Sequence, residues 1–118
     1  MFNNFFGGAT RELPYTDLTP QQADQKRKSS PQVRVIDVRE PYEYSESHIP
    51  GSKLIPLGQI STRLNELGNK EQELIVVCRS GSRSSHAAQQ LAGLGYKKIS
   101  NLQGGMMGWL RAGLPTER

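Results

Sequence analysis

Two short runs of β-branched and apolar residues stand out from a largely polar chain, and both have the composition of strands. The run QVRVIDV occupies residues 32–38, and the run ELIVVC occupies residues 73–78. A strand without polar alternation is buried on both faces, as in a parallel sheet that helices cover on each side. The second run therefore predicts a central strand of such a sheet.

A helix is predicted over LTPQQADQKRK at residues 18–28, because its start carries two N-terminal signals. The Thr19 hydroxyl can cap the first turn, and Pro20 fits the first helical position. The run QKRK at 25–28 places cations near the helix end, where the helix dipole favours them. We interpret this run as a solvated helix end. Weak nucleic-acid contact is the alternative, and little else in the sequence favours it.

Two further segments have apolar residues at helical spacing. The first is GQISTRLNELG at 58–68, whose apolar face consists of Ile60, Leu64 and Leu67. The second is SRSSHAAQQLAGLG at 82–95, whose apolar stripe consists of Ala87, Ala88, Leu91 and Leu94. Each segment closes on a glycine, Gly68 or Gly95, which is a typical signal for the end of a helix.

The remaining segments continue the alternation of strand-like and helix-like patterns. TRELPYTDL at 10–18 is a weak extended stretch, and short strands are expected in KLIPL at 53–57 and KKISNL at 97–102. REPYEYSESHIPGS at 39–52 predicts a short helical turn before a Pro-Gly break, and GMMGWLRAG at 105–113 predicts the last helix. The alternation indicates an α/β fold. We expect a mostly parallel central sheet with helices on both faces, joined by right-handed crossovers.

The composition limits the class of protein. The chain has 118 residues, which suits one domain, and it has one cysteine, which cannot form an internal disulfide. A lone cysteine fits a reducing compartment, and we expect a cytoplasmic protein. The two histidines have no cluster of cysteine, aspartate or glutamate at ligand spacing, so no metal site is predicted. No apolar stretch is long enough to cross a bilayer.

The first residues differ in character from the rest of the chain. Phe2, Phe5 and Phe6 all lie within MFNNFFGG, whereas the other aromatic residues are spread along the sequence. We expect residues 1–12 to form a tail that covers an apolar patch of its own domain, with a self-association patch as the alternative. The domain itself is expected over residues 13–118.

The chemistry is predicted where the apolar run ends on Cys78 and the loop CRSGSR begins. Gly81 permits a tight curl, and a curled loop that leads into a helix directs its N–H groups inward, which forms an anion-binding nest. The N-terminus of the following helix adds a partial positive charge, and Arg79 and Arg83 add full charges. A thiol in such surroundings ionises readily, and its thiolate is a nucleophile.

Asp37 lies near the end of the other predicted strand, and it should lie near Cys78 because parallel strands bring their carboxyl ends, where ligands bind, to the same edge of the sheet. We expect its carboxylate to accept loop N–H groups or to pair with an arginine, which is a supporting role. Arg39 either borders the pocket or pairs with Glu40 or Glu43. His86 falls inside the helix that follows the loop, and we expect it to be structural or exposed.

The chain resembles the rhodanese (thiosulfate sulfurtransferase) family over roughly residues 14–117. Three segments carry the resemblance in the family's order and spacing: VIDVREPYEYSESHIPGS, IVVCRSGSRS and NLQGGMMGWLRAGLP. The family often has glycine where this chain has Ser47, and alanine where it has Ser52 and Gly108. These departures are small. The resemblance therefore implies a single rhodanese-like domain.

The resemblance also implies the activity and its site. Cys78 would carry a persulfide sulfur at the base of a six-residue loop formed by Cys78, Arg79, Ser80, Gly81, Ser82 and Arg83. Asp37 would support this loop from beside it. The expected donor is a small anion such as thiosulfate, and the acceptor is cyanide or a thiol, including a sulfur-carrier or thioredoxin-like protein. No cofactor is required.

Two other readings of the same residues stay open. A cysteine phosphatase or arsenate reductase also combines a cysteine, a basic loop and a helix N-terminus. Its loop has five residues between cysteine and arginine, whereas four residues separate Cys78 from Arg83 here. The second reading is a binding or sensing module that carries a persulfide, or docks a partner, with little turnover.

Overall fold

Five parallel strands form the centre of the molecule. The structure is a computed structural model that describes residues 13–118, so the aromatic tail expected over residues 1–12 lies outside the described residues. The strands are β1 (Thr16–Leu18), β2 (Arg34–Asp37), β3 (Lys53–Leu54), β4 (Glu73–Val77) and β5 (Lys98–Leu102). They form one sheet in the order β1-β5-β4-β2-β3, and all pairings between these five strands are parallel.

Helices connect three of the strand pairs, and a fourth helix follows the last strand. They are α1 (Pro20–Ser29), α2 (Pro41–Glu46), α3 (Ser82–Gly93) and α4 (Gly105–Arg111). The start of α1 is as predicted, because the Gln22 N–H donates to Thr19 Oγ1 at 3.2 Å and the Thr19 N–H donates to Gln22 Oε1 at 2.9 Å. This reciprocal pair satisfies two N–H groups that the first turn of a helix otherwise leaves free.

Alternate residues of the central strands enter two separate cores. Ile36 and Val76 belong to a cluster that α3 helps to form, whereas Val35 and Ile75 belong to a cluster that includes Trp109 of α4. Successive side chains of a strand point to opposite faces of the sheet, so β2 and β4 are buried on both sides. This confirms the predicted α/β fold and explains why ELIVVC shows no polar alternation.

The segment around residues 57–68 differs from its prediction. It forms two short 3₁₀ helices, Leu57–Thr62 and Leu64–Glu66, instead of one α-helix. Ser61 and Thr62 favour an α-helix only weakly, and the Thr62 hydroxyl donates to the Gln59 carbonyl, which offers the backbone a competing partner. Ile60 and Leu67 of the predicted apolar face are nevertheless buried in the core.

One residue of the predicted α3 stripe is also misplaced. Leu94 follows the end of α3 and is 39% exposed, whereas the other three members of the stripe are buried. Gly95 has a positive φ of 101°, as expected for a residue that ends a helix.

No helix within residues 13–118 is long and apolar enough to cross a bilayer.

Candidate active site

The only cysteine lies directly after the central strand, at the base of a tight loop. Cys78 follows β4 and is buried, and the loop continues into α3 at Ser82. The Gly81 N–H donates to Cys78 Sγ at 3.0 Å. Gly81 has a φ of 106°, a left-handed conformation that side chains disfavour, and this turn directs its N–H toward the sulfur. The structure thus forms the curled loop that the composition predicted.

Two opposing effects set the acidity of the thiol. Burial raises the pKa of Cys78, but hydrogen bonds from the Ser84 hydroxyl and from the N–H groups of Ser84, Gly81 and Ser80 lower it, and the net pKa lies below the ordinary value. Hydrogen bonds to a thiolate favour the charged form, whereas desolvation favours the neutral one. The donors outweigh burial, and a larger fraction of the thiol is therefore ionised near neutral pH than in a free cysteine.

Arg83 does not present an unbalanced charge to the loop. Its guanidinium makes two hydrogen bonds of 2.8 Å to the carboxylate of Glu43, one to each oxygen. This bidentate pair lowers the pKa of Glu43 to about 2 and raises that of Arg83. Arg83 keeps its positive charge, and its pairing with Glu43 also holds the end of the loop to α2.

Asp37 and Arg39 also form a pair. Arg39 Nε donates to Asp37 Oδ1 at 2.9 Å and Arg39 Nη2 donates to Asp37 Oδ2 at 2.8 Å, and both side chains are buried. Of the two roles expected for Arg39, the structure shows the side chain bordering the cavity beside the loop, and its ion-pair partner is Asp37 rather than Glu40 or Glu43. Asp37 lies opposite Val77 in the register between β2 and β4, one residue before Cys78. The pair therefore stands next to the base of the loop.

A helix supports the loop from its other side. The Met106 N–H of α4 donates to the Cys78 carbonyl at 2.8 Å, and the Met107 N–H donates to the Arg79 carbonyl at 3.0 Å. Gly105 precedes both, and a Cβ at this position would lie 2.6 Å from the Cys78 carbonyl oxygen. A glycine is required here because the loop backbone packs directly against the start of α4.

Arg79 faces a surface cavity beside the loop. The cavity has a volume of about 310 Å³, and Arg39 and Glu43 line it together with Arg79. Arg79 is exposed and forms no ion pair with any residue between 13 and 118. It is therefore the cation of this loop that is available to an incoming anion. Tyr42, Met107 and Leu110 form the apolar part of the cavity wall.

His86 is exposed on α3, as expected. Trp109 of α4 is fully buried, and its Nε1–H donates to the Pro115 carbonyl at 2.8 Å. The described residues contain no group of histidine, cysteine, aspartate or glutamate side chains that could hold a metal ion. Lys28 at the end of α1 pairs with Asp24, and Lys26 pairs with Glu73.

Three residues that contribute to the site were not singled out from the sequence, namely Ser84, Gly105 and Asn101, and Glu43 was named only as a possible partner of Arg39. Ser84 had the clearest signal, because it directly follows the loop. Glu43 lies forty positions from its partner Arg83, so no local pattern connects them. The requirement at Gly105 follows only from the packing of α4 against the loop.

The Glu43–Arg83 pair predicts an acid-dependent loss of stability. Glu43 has its pKa lowered to about 2 in the folded protein, so its contribution is present above the unfolded value of 4.5 and is lost as the pH falls toward 2. We expect Glu43→Gln to lower the free energy of unfolding at neutral pH, because it removes the ion pair with Arg83. The loss should be about 1–2 kcal/mol and not larger, because the Arg83 side chain is partly exposed and water screens the pair. Urea denaturation at several pH values measures this.

The difference between the two proteins should shrink as the solution becomes more acidic than pH 4.5. Glu66 also has a pKa of about 2, but it is unchanged in both proteins and cancels in the comparison. A difference that stays constant from neutral pH down to pH 2 would contradict the assigned ion pair.

The fold and the site together define an α/β domain that presents an activated cysteine in a loop at the carboxyl end of its central strand. The family model described as a rhodanese-like domain matches residues 19–112. The chain belongs to the rhodanese family.

Relatives and solved structures agree with this. The chain is 44% identical over 93 residues to the "Putative sulfur carrier protein YrkF" of Bacillus subtilis, covering 79% of this chain and 50% of that protein. It is 32% identical to a sulfurtransferase of Allochromatium vinosum, covering 84% and 92%. A rhodanese-related protein from Thermoplasma volcanium superposes with a TM-score of 0.78 at 28% identity, covering 87% and 98%. The chain thus spans half the length of YrkF but nearly all of the other two.

Proposed function

We propose that this protein is a sulfurtransferase that accepts the outer sulfur of thiosulfate, or of another persulfide donor, on Cys78 and passes it to cyanide or a thiol. The observation that supports this most directly is the convergence of hydrogen-bond donors on one buried sulfur atom. A thiolate held in this way is stabilised without a cofactor or a metal. Membership of the rhodanese family agrees with sulfur transfer in general.

The reaction would proceed in two steps through a covalent intermediate. The Cys78 thiolate attacks the outer sulfur of thiosulfate, the S–S bond of the donor breaks, and sulfite leaves with the bonding electron pair. An acceptor nucleophile then attacks the terminal sulfur of the persulfide, and the Cys78 thiolate leaves. This is ping-pong catalysis. Loop N–H groups stabilise the anionic sulfur in both steps.

Arg79 would bind the donor anion. It is exposed and lines the cavity beside the loop, whereas Arg83 is balanced by Glu43. Charge-assisted hydrogen bonds from a guanidinium suit the sulfonate oxygens of thiosulfate. The Asp37–Arg39 pair would hold the base of the loop in place, because both of its side chains are buried and already paired.

Intact-mass spectrometry tests the proposed function. Incubation with thiosulfate should increase the protein mass by one sulfur atom, and cyanide should remove the increase and release thiocyanate. A protein that takes up one sulfur atom but releases it neither to cyanide nor to a thiol would be a persulfide-carrying module with little turnover instead. Hydrolysis of a phosphate ester without any sulfur uptake would contradict the proposal.

The acidity of Cys78 can be measured separately. We expect iodoacetamide alkylation of the single thiol to have a pH midpoint below that of a free cysteine, about 8.5, because the loop donors outweigh burial. Arg83→Ala should move this midpoint less than loss of the Ser84 hydroxyl, because the hydrogen bond from that hydroxyl is the strongest of the contacts that lower the pKa of Cys78. A wild-type midpoint at or above the free value would show that burial dominates.

A further inference from the structure

The Ser84 hydroxyl stands between two acceptors. Its Oγ lies 3.3 Å from Cys78 Sγ and 2.5 Å from Asn101 Oδ1, and both Ser84 and Asn101 are buried. Ser84 belongs to the first turn of α3, and Asn101 belongs to β5, which lies next to β4 in the sheet. The contact therefore joins the active-site helix to the strand beside the thiol.

The orientation of the Asn101 amide follows from its second partner. Asn101 Nδ2 donates to Asp17 Oδ1 at 3.0 Å, and Asp17 is an exposed residue of β1. An ionised carboxylate only accepts hydrogen bonds, so the NH₂ group of Asn101 faces Asp17 and its oxygen faces Ser84. Asp17 thereby orients the Asn101 amide so that its oxygen, an acceptor, faces the Ser84 hydroxyl.

A hydroxyl group has one proton and can donate it to one acceptor at a time. When the proton points to Asn101, a lone pair of Ser84 Oγ faces Cys78 and can accept the hydrogen of a neutral thiol. When the proton points to Cys78 Sγ, it stabilises a thiolate, and Asn101 Oδ1 loses its donor. Two acceptors thus compete for one proton, and the charge on the sulfur decides the outcome.

We propose that Ser84 is a two-position donor: its hydroxyl points to Asn101 while Sγ is neutral, as thiol or persulfide, and turns to Sγ when that sulfur is an anion. Ser84 and Asn101 are positioning residues in this scheme, since they act through Cys78. The inference rests on the proposed sulfur transfer and deepens it. The lowered pKa of Cys78, to which the Ser84 hydroxyl contributes, is consistent with the second position.

The switch matters most when the acceptor removes the sulfur. An acceptor thiolate attacks the terminal sulfur of the Cys78 persulfide, a new S–S bond forms on the acceptor, and the bond between the two sulfurs of the persulfide breaks. Cys78 Sγ leaves with the electron pair. The Ser84 hydroxyl then turns from Asn101 and donates to the leaving thiolate, which stabilises the charge where it develops.

The opposite effects of two substitutions test the proposal. Ser84→Ala removes the donor, so the alkylation midpoint of Cys78 should rise and alkylation at neutral pH should slow about tenfold. Asn101→Leu removes the competing acceptor, so the Ser84 hydroxyl donates only to sulfur and the midpoint should fall. In the Ser84→Ala background, Asn101→Leu should have no effect. A merely structural role of these residues would not produce opposite shifts that depend on each other.

Ser85→Ala is the matched control. Ser85 is the next residue of α3, and its hydroxyl bonds the Tyr15 hydroxyl at 2.8 Å. We expect Ser85→Ala to leave the midpoint unchanged. With protein that already carries the persulfide, Ser84→Ala should also slow sulfur release to a thiol acceptor about tenfold, whereas Ser85→Ala should not.

Charged groups on the surrounding elements stay the same in these variants. They are Asp17, Asp37, Arg39, Glu43, Arg79 and Arg83. A midpoint shift in Ser84→Ala or Asn101→Leu therefore reports the hydroxyl and not a changed ion pair.

A surface variant keeps the proposal testable should Asn101→Leu fail to fold. Asp17→Lys replaces an acceptor with a donor, so the Asn101 amide should turn its oxygen to Lys and its NH₂ group to Ser84. The Ser84 proton then points to sulfur, and the midpoint should fall. The same change in the Ser84→Ala background gives the contribution of the altered charge alone.

Two results would overturn the proposal: a rise of the midpoint in Asn101→Leu, or equal shifts by Asp17→Lys in both backgrounds. Sulfur uptake from thiosulfate is measured independently by mass. Failure of the hydroxyl switch is thus distinguishable from failure of the proposed function.

Discussion

Replacing Cys78 with alanine is expected to abolish sulfur transfer, with a loss of at least about 10³-fold in thiocyanate formation from thiosulfate and cyanide. The reason is chemical: Cys78 is the only thiol in the chain, so no other side chain can carry the persulfide. The variant should also show no gain of sulfur mass after incubation with thiosulfate. Both measurements depend on the sulfur atom that Cys78 would carry, so the variant should give neither thiocyanate nor a gain of mass.

The fold of this variant should remain intact. The substitution removes one buried sulfur atom, so the free energy of unfolding should fall by only about 1 kcal/mol, and urea denaturation can measure this. Alanine keeps the backbone contact of this position, because the carbonyl of residue 78 accepts from the Met106 N–H in both proteins. Sulfur transfer that survives in a folded Cys78→Ala protein would refute the proposed intermediate.

Gly105→Ala is expected to reduce sulfur transfer about 100-fold although Gly105 carries no reacting group. A Cβ at this position would lie 2.5 Å from the Arg79 carbonyl carbon and 2.6 Å from the Cys78 carbonyl oxygen. Both contacts are with loop backbone, which cannot rotate aside as a flexible side chain could. The loop must therefore shift, and a displacement of about 1 Å at a reacting group can cost about 100-fold in rate.

Gly113→Ala separates this clash from backbone strain. Gly113 also has a positive φ, 72° compared with 57° for Gly105, but an added Cβ there meets no atom within 4 Å. It should therefore cost about 1–3 kcal/mol of stability from strain and leave the rate unchanged. Steady-state kinetics and urea denaturation of both variants make the comparison. An equal loss of rate in both would mean that general destabilisation, and not loop displacement, causes the effect.

Much of the sheet could be predicted because its signals are local. The apolar run of β4 and the β-branched residues of β2 reflect burial on both faces, and the Thr19 cap acts within one turn. Where the local signal was ambiguous, the prediction failed. The apolar spacing of Ile60 and Leu67 is compatible with both an α-helix and 3₁₀ helices, and the backbone adopted the second.

The candidate site divides in the same way. The loop CRSGSR and its cysteine are consecutive in the chain, so their composition alone predicted a curled, anion-binding backbone. The composition of the loop did not predict the ion-pair partners of its arginines. Composition favoured two free charges near the sulfur, but the fold places Glu43 against Arg83 and leaves Arg79 exposed.

The sequence by itself therefore determined the strands, the loop and the position of its cysteine, because periodicity, caps and turn residues act over a few positions. Only the tertiary structure decided which side chains the loop meets. The order β1-β5-β4-β2-β3 places strands that are distant in sequence next to each other, and it brings Asn101 to Asp17 across 84 positions. Distance in space, and not along the chain, governs hydrogen bonds and charge pairing, so the acidity of Cys78 depends on neighbours that no local pattern reveals.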